Sequence, residues 1–310
     1  MAAGTVSVMA VSEGVYFPLL GTDVTIRVEA IEPALAHAIE QAAVNEIVRV
    51  QAVFTVFDPA SALSRWRRGE LADPPDEVTR LLGTAADWHQ ASGGAFHPAA
   101  GTLRARWLRA EGEAVVPSGE ELAVLADDVR SLPYQVGADG SARRTGDTSG
   151  VDLNAIAKGY AVDRAIDLAV GLGADGVMVN AGGDLAHRGA GEVMVGIEDP
   201  LHPSDNAAPL ETVRLRGRAI ATSGLARRGF TVGATRYGQV LDPRTARPVD
   251  HCASASVLAP TAEAADAMAT VAGVLEHAEA LAFVDARPDF ACLLVTRDGK
   301  VLRSARWPAS

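Results

Sequence analysis

The hydrophobic pattern changes period several times along the chain. Between Phe17 and Val28 it alternates, with Val24, Ile26 and Val28 on one side and Thr25 and Arg27 on the other, as in a half-buried strand. From Pro33 to about Gln51 the period becomes helical: Leu35, Ile39, Ala43, Ile47 and Val50 share a face, and proline suits the helix start. Further helices are predicted over Pro75–Gln90, Ser118–Ala126, Thr261–Leu275 and Ala278–Val284. Short strands are predicted at Val193–Ile197, Thr212–Leu215, Ala219–Ala221 and Ala253–Leu258, with hairpins around Gly137–Gly140 and Arg297-Asp298-Gly299. Residues 1–15 read as a flexible arm, Phe57–Glu70 as a solvated loop, and 104–150 carries little further pattern. Helices and strands mix without strict βαβ alternation, which favours an α+β fold. No repeat or linker divides the chain, so 16–310 is expected to be a single domain.

The stretch around which the chain is organised is Asp152–Asp184, DLNAIAKGYAVDRAIDLAVGLGADGVMVNAGGD. Val162, Ala165, Ile166 and Ala169 follow at helical spacing, Gly171 and Gly173 end the helix, and GVMVNA is a buried strand running into Gly182-Gly183. Two readings stay open: an ordinary helix–strand unit, or a phosphate site with Lys158 as cation and the Gly-Gly amides as a nest. Gly171, Gly173 and Gly176 match the dinucleotide fingerprint, but they follow a helix and precede a strand, the reverse of what it requires. The loop GGAFHPAAG (Gly93–Gly101) holds Phe96 between glycines and a proline, equally suited to a ligand or to a buried turn. Asp266 and Thr270, four apart on a largely apolar helix, put two hard oxygen donors on one face. A carboxylate buried there is costly unless something compensates its charge, and a magnesium-like cation would do so.

Charge and composition narrow the classes. A formal charge of −11 argues against a nucleic-acid partner, and Cys252 and Cys292 form neither a disulfide framework nor a metal-ligand spacing. The N-terminal residues show no secretory signal, lipid-accepting cysteine or membrane span, so a cytoplasmic location without membrane insertion is expected.

Nine stretches in collinear order resemble the ApbE family of FAD:protein FMN transferases. They are LLGT (Leu19–Thr22), SALSRW (Ser61–Trp66), GGAFHPAAGTL (Gly93–Leu103), DLNAIAKGYAVD (Asp152–Asp163), VNAGGD (Val179–Asp184), VGIEDP (Val195–Pro200), AIATSG (Ala219–Gly224), QVLDPRTARP (Gln239–Pro248) and DAMAT (Asp266–Thr270). The resemblance implies an α+β, T-fold-related architecture of mixed sheets and packed helices with a ligand cleft between two subdomains. It implies Mg-dependent transfer of FMN from FAD to a Thr or Ser hydroxyl of an acceptor protein carrying a D-G-x-(S/T)-G-A-(S/T)-like target, with release of AMP. By position, Leu20, Ala95, Phe96, His97, Asp152, Lys158 and Leu241 would line the flavin site, with Gly182-Gly183-Asp184 and Thr222-Ser223-Gly224 bordering FAD. Mg2+ would sit between the Ala155 carbonyl, Asp266 and Thr270. The sequence departs from the family pattern at the catalytic histidine, whose position is Gln239; at His97, where Asp is usual; and at Ala246, where Gly is usual. An amide cannot take a proton at neutral pH. Two alternatives therefore stand beside transfer: an FAD-binding protein without transferase activity, or a Mg-dependent FAD pyrophosphatase giving FMN and AMP. His97 and His251 are the other imidazoles that could supply the base.

Overall fold

The computed structural model describes residues 9–204, 207–224 and 229–308. The chain opens with a hairpin, β1 (Ala10–Leu19) and β2 (Thr22–Ala30), and the long helix α1 (Pro33–Phe54). Four helices follow: α2 (Ala62–Arg67), α3 (Asp76–Ala91), α4 (Gly101–Glu113) and α5 (Gly119–Asp128). A small hairpin, β3 (Tyr134–Val136) and β4 (Ala142–Arg144), leads to α6 (Asn154–Gly171) and the hairpin β5 (Gly176–Ala181) and β6 (Asp184–Gly189). Then come β7 (Val193–Ile197), β8 (Glu211–Leu215), β9 (Ala219–Gly224), β10 (Gly229–Val232) and β11 (Thr235–Gly238). The two-residue pair β12 (Leu241–Asp242) and β13 (Arg247–Pro248) precedes β14 (Cys252–Ala259), α7 (Ala262–Val274) and α8 (His277–Asp285). The hairpin β15 (Ala291–Thr296) and β16 (Val301–Arg303) finishes the fold.

Eight strands join one antiparallel sheet in the order β1-β2-β5-β6-β9-β14-β15-β16. Burial along each strand follows what covers it. β2 alternates because only one face is covered, with Val24, Ile26 and Val28 turned into the core beside α1 and α6. β14 and β15 are buried at every residue. On one side they meet the α7 layer; on the other a cluster of Ile197, Val213, Leu215, Leu258, Leu293 and Trp307 lies under the β7–β8 hairpin. A third cluster, Leu103, Trp107, Leu122, Phe230, Leu241 and Ala246, packs α4 and α5 against β10–β13.

The structure corrects three expectations. The supposed N-terminal arm is partly strand: Ala10–Val15 pairs with Thr25–Ala30, while residues 1–8 lie outside the described residues. The stretch expected to be a solvated loop contains α2, capped by the Ser61 hydroxyl on the Ser64 N–H at 3.0 Å and anchored by fully buried Leu63 and Trp66. The stretch with little pattern contains α4, whose Leu103, Trp107 and Ala110 are buried at helical spacing.

Candidate active site at the end of the sheet

Two tight turns lie at one end of the sheet. Leu20 and Gly21 join β1 to β2 with φ of 54° and 71°, and Gly182 and Gly183 join β5 to β6 with φ of 62° and 102°. Positive φ at both central residues is the geometry of a two-residue type I′ hairpin. At Gly182 the absence of a side chain is required twice over, since a Cβ would stand 2.3 Å from the Thr22 hydroxyl. The Leu20 N–H donates to Gln51 of α1 at 2.5 Å. Gly183 N–H donates to the Asn180 side chain at 3.1 Å, so this amide serves the turn itself rather than an open nest.

Asp184 begins β6 at that end and is almost fully buried. Lys158, from the second turn of α6, donates to Asp184 and lies 3.7 Å from Asp266 of α7. Burial raises the Asp184 pKa, with Lys158 opposing. Burial also raises that of Asp266, and the Asp184 charge raises it further; Lys158 and the Gly159 N–H oppose. That N–H donates to Asp266 at 3.3 Å. In helical geometry it also points at the carbonyl four residues back, which is Ala155. The Asp266 carboxylate therefore lies beside the Ala155 carbonyl. Thr270, half-buried, is one turn further along the same face of α7. Three residues beyond it, Gly273 approaches Ser223 of β9, a Cβ there standing 3.9 Å from the Ser223 hydroxyl. Thr222 and Ser256 share a hydroxyl hydrogen bond at 2.8 Å.

Among the described residues Asp184 and Asp266 share the Lys158 ammonium, so these three side chains together carry a net negative charge when both carboxylates are ionised. A carboxylate, a carbonyl and a hydroxyl are hard oxygen donors, and the residues present fit a magnesium ion on both counts. Among the described residues no group of three or more His, Cys, Asp or Glu side chains is placed to hold a metal, so such a site depends on neutral oxygens as well.

The remaining sequence-predicted residues form the neighbouring wall. The Gly93–Ala100 loop runs beside the start of α6, with Asp152 N–H donating to the Pro98 carbonyl at 2.7 Å and Gly101 N–H to the Gly150 carbonyl at 3.1 Å. Ala95 and Phe96 are buried, the Phe96 N–H held by Ser92 at 3.0 Å, so this loop is a buried turn in its own right. Asp152 accepts from the Asn154 backbone at 2.9 Å and side chain at 3.0 Å; burial raises its pKa, and Arg67 and Arg104 lie near enough to oppose that rise. Gly94 approaches Arg244 of the β12–β13 turn, a Cβ there standing 3.7 Å from its side chain. Leu241 is buried in the Trp107 cluster. Gln239 donates its amide to the Gly224 carbonyl at 3.2 Å, tying the segment before β12 to the end of β9.

Neither alternative imidazole is poised as a base. His251 is engaged with the Leu275 carbonyl at 3.0 Å. His97 is buried, and burial together with the nearby His89 lowers its pKa to about 4. Its Nδ1 accepts from the Ala99 N–H at 3.0 Å, and a hydrogen bond to the Val129 backbone opposes the fall in pKa. Ala246 adopts φ of 55°, the left-handed region that glycine enters freely. Sequence reasoning missed Asp184 as the counter-ion of Lys158. Clefts of about 500 and 670 Å³, along α4–α5 and beneath β3–β4, are lined by none of the sequence-predicted residues.

The fold is a mixed helix–sheet architecture with a lysine–carboxylate cluster at the end of its main sheet. The chain belongs to the ApbE family, whose profile matches residues 20–294. The FAD:protein FMN transferase of Treponema pallidum is 29% identical over 311 residues, covering 93% of this chain and 85% of that protein. The FAD:protein FMN transferase of Escherichia coli K12 is 36% identical over 154 residues, 48% of this chain and 43% of that protein. Among solved structures, the ApbE protein of Thermotoga maritima matches with a TM-score of 0.83 at 27% identity, over 95% of this chain and 97% of that one. The flavin transferase ApbE of Vibrio cholerae shares the fold, with a TM-score of 0.77 at 22% identity, over 96% of this chain and 98% of that one.

Proposed function

We propose that the protein transfers FMN from FAD to a Thr or Ser hydroxyl of an acceptor protein and releases AMP, in a Mg2+-dependent reaction. The observation that carries this reading is the buried cluster of Lys158, Asp184 and Asp266 beside the Ala155 carbonyl, whose three side chains carry a net negative charge when both carboxylates are ionised. Ala155, Asp266 and Thr270 would hold Mg2+, and its charge would neutralise that developing on the FAD pyrophosphate. Lys158, held between two carboxylates, would lean toward a pyrophosphate oxygen. Leu20, Ala95, Phe96, His97, Asp152 and Leu241 would border the flavin.

In the transfer, the acceptor hydroxyl oxygen bonds to the FMN phosphorus, the bond from that phosphorus to the bridging oxygen breaks, AMP departs with that oxygen, and the hydroxyl proton passes to water. With its NH2 engaged by Gly224, Gln239 retains a carbonyl oxygen that can accept from the hydroxyl and orient it without removing the proton. That limitation favours one second reading, hydrolysis of FAD to FMN and AMP by a water standing where the acceptor hydroxyl would be. Both readings require metal-linked FAD binding. Flavin fluorescence titrations should show Mg2+ tightening FAD binding to the native chain, and Asp266→Asn should abolish the tightening while metal-free binding persists. FAD affinity of the native chain indifferent to Mg2+ would contradict the proposal.

A further inference from the structure

Asp163 lies on α6, five residues beyond Lys158, and reaches no ligand in the site just described. Its carboxylate is committed to the start of α7: one oxygen accepts from the Ala262 N–H and the other from the Glu263 N–H, each at 2.8 Å. These are two of the backbone donors that a helix start leaves without an intrahelical partner. The next donor, Ala264 N–H, is taken by the Thr261 hydroxyl at 3.2 Å. The end of α7 is thus capped twice, once from its own chain and once from α6.

The two caps differ in consequence. Thr261 steadies α7 locally, whereas Asp163 fixes where α7 lies on α6. Four residues before Asp163, on the same face, is Gly159, where a Cβ would stand 2.2 Å from the Ala262 carbonyl oxygen. Four residues after Ala262 is Asp266, which accepts from the Gly159 N–H. The helices therefore meet along two matched rows, Gly159 and Asp163 against Ala262 and Asp266. A helix advances about 1.5 Å and turns about 100° per residue, so a small slip along this seam moves Asp266 off the Ala155 carbonyl and Lys158.

We infer that Asp163 is a positioning residue for the proposed Mg2+ site: by holding the first turn of α7 from α6 it sets the register that delivers Asp266 and Thr270. The inference rests on the metal reading above. Its test compares Asp163→Asn, Asp163→Ala and Thr261→Ala, with Mn2+ as the probe. Free Mn2+ is followed by electron paramagnetic resonance in the presence of FAD, and melting temperature is measured in parallel. Both Asp163 variants should weaken Mn2+ binding by about tenfold or more, Asn less than Ala because it keeps one accepting oxygen. Thr261→Ala should lower the melting temperature and leave Mn2+ affinity as in the native chain. Native Mn2+ affinity in Asp163→Asn, or an equal loss in Thr261→Ala, overturns the positioning role and leaves the metal reading standing. A native chain that binds no Mn2+ with FAD present overturns the metal reading and the positioning role with it.

Discussion

Lys158 is the residue on which the local electrostatics turn, because its ammonium opposes the charges of both Asp184 and Asp266. Replacing it by Met strands two buried carboxylates, and breaking such a pair costs on the order of 3 kcal/mol. Urea denaturation of Lys158→Met at pH 7 should show that loss. The deficit should shrink as pH falls, because protonation relieves both carboxylates. His97 works in the opposite sense. Its folded pKa, about 4, lies below the ordinary 6.5, so between these values the unfolded chain binds the proton and the folded chain does not. Its contribution is complete above pH 6.5 and is lost as pH falls toward 4, by about 3 kcal/mol at most. Melting temperatures from pH 7 to 4.5 should fall less steeply in His97→Asn than in the native chain. At Gln239 the account predicts that Gln239→His raises FMN transfer to an acceptor; an unchanged rate would show that a missing base is not what limits the reaction. The motif around Lys158 was legible because its residues are adjacent in sequence. Asp163 as an α7 cap was not: its partners stand 99 and 100 residues away and leave no local pattern.

At the scale of elements, hydrophobic periodicity found the helices with a full apolar face, α1 and α3, and missed β1 for a physical reason. That strand carries its apolar residues outward, with Val11, Val15 and Phe17 exposed, and turns Ser12 and Tyr16 inward to hydrogen-bond the buried Glu40 of α1. An inverted strand of this kind cannot be read from alternation alone. Gly21 and Gly182–Gly183 were legible as turns, but which turns share one end of the sheet depends on strand order. Of the eight strands only the hairpin pairs are neighbours in sequence as well as in space, so the order β6-β9-β14 is set by packing on α7 rather than by local pattern. The α6–α7 seam yields a paired prediction. Gly159→Ala forces a methyl into the Ala262 carbonyl, and overpacking of this kind costs about 1–3 kcal/mol. Gly171→Ala, at the end of the same helix with nothing within 4 Å, should be neutral or stabilising by up to about 1 kcal/mol. Chemical denaturation of the two variants side by side checks both signs.

The whole molecule brings three remote parts of the chain to one corner: the start of α6, the middle of α7 and the turn into β6. No described helix is long and apolar enough to cross a membrane. What the corner does is tested most directly by mass. The purified protein is incubated with FAD, Mg2+ and an acceptor domain bearing a D-G-x-(S/T)-G-A-(S/T)-like target, and the acceptor's intact mass is measured. The account predicts a gain of one FMN per acceptor, dependent on Mg2+ and lost in Asp266→Asn. An acceptor of unchanged mass, with FAD either intact or split into free FMN and AMP, would contradict it.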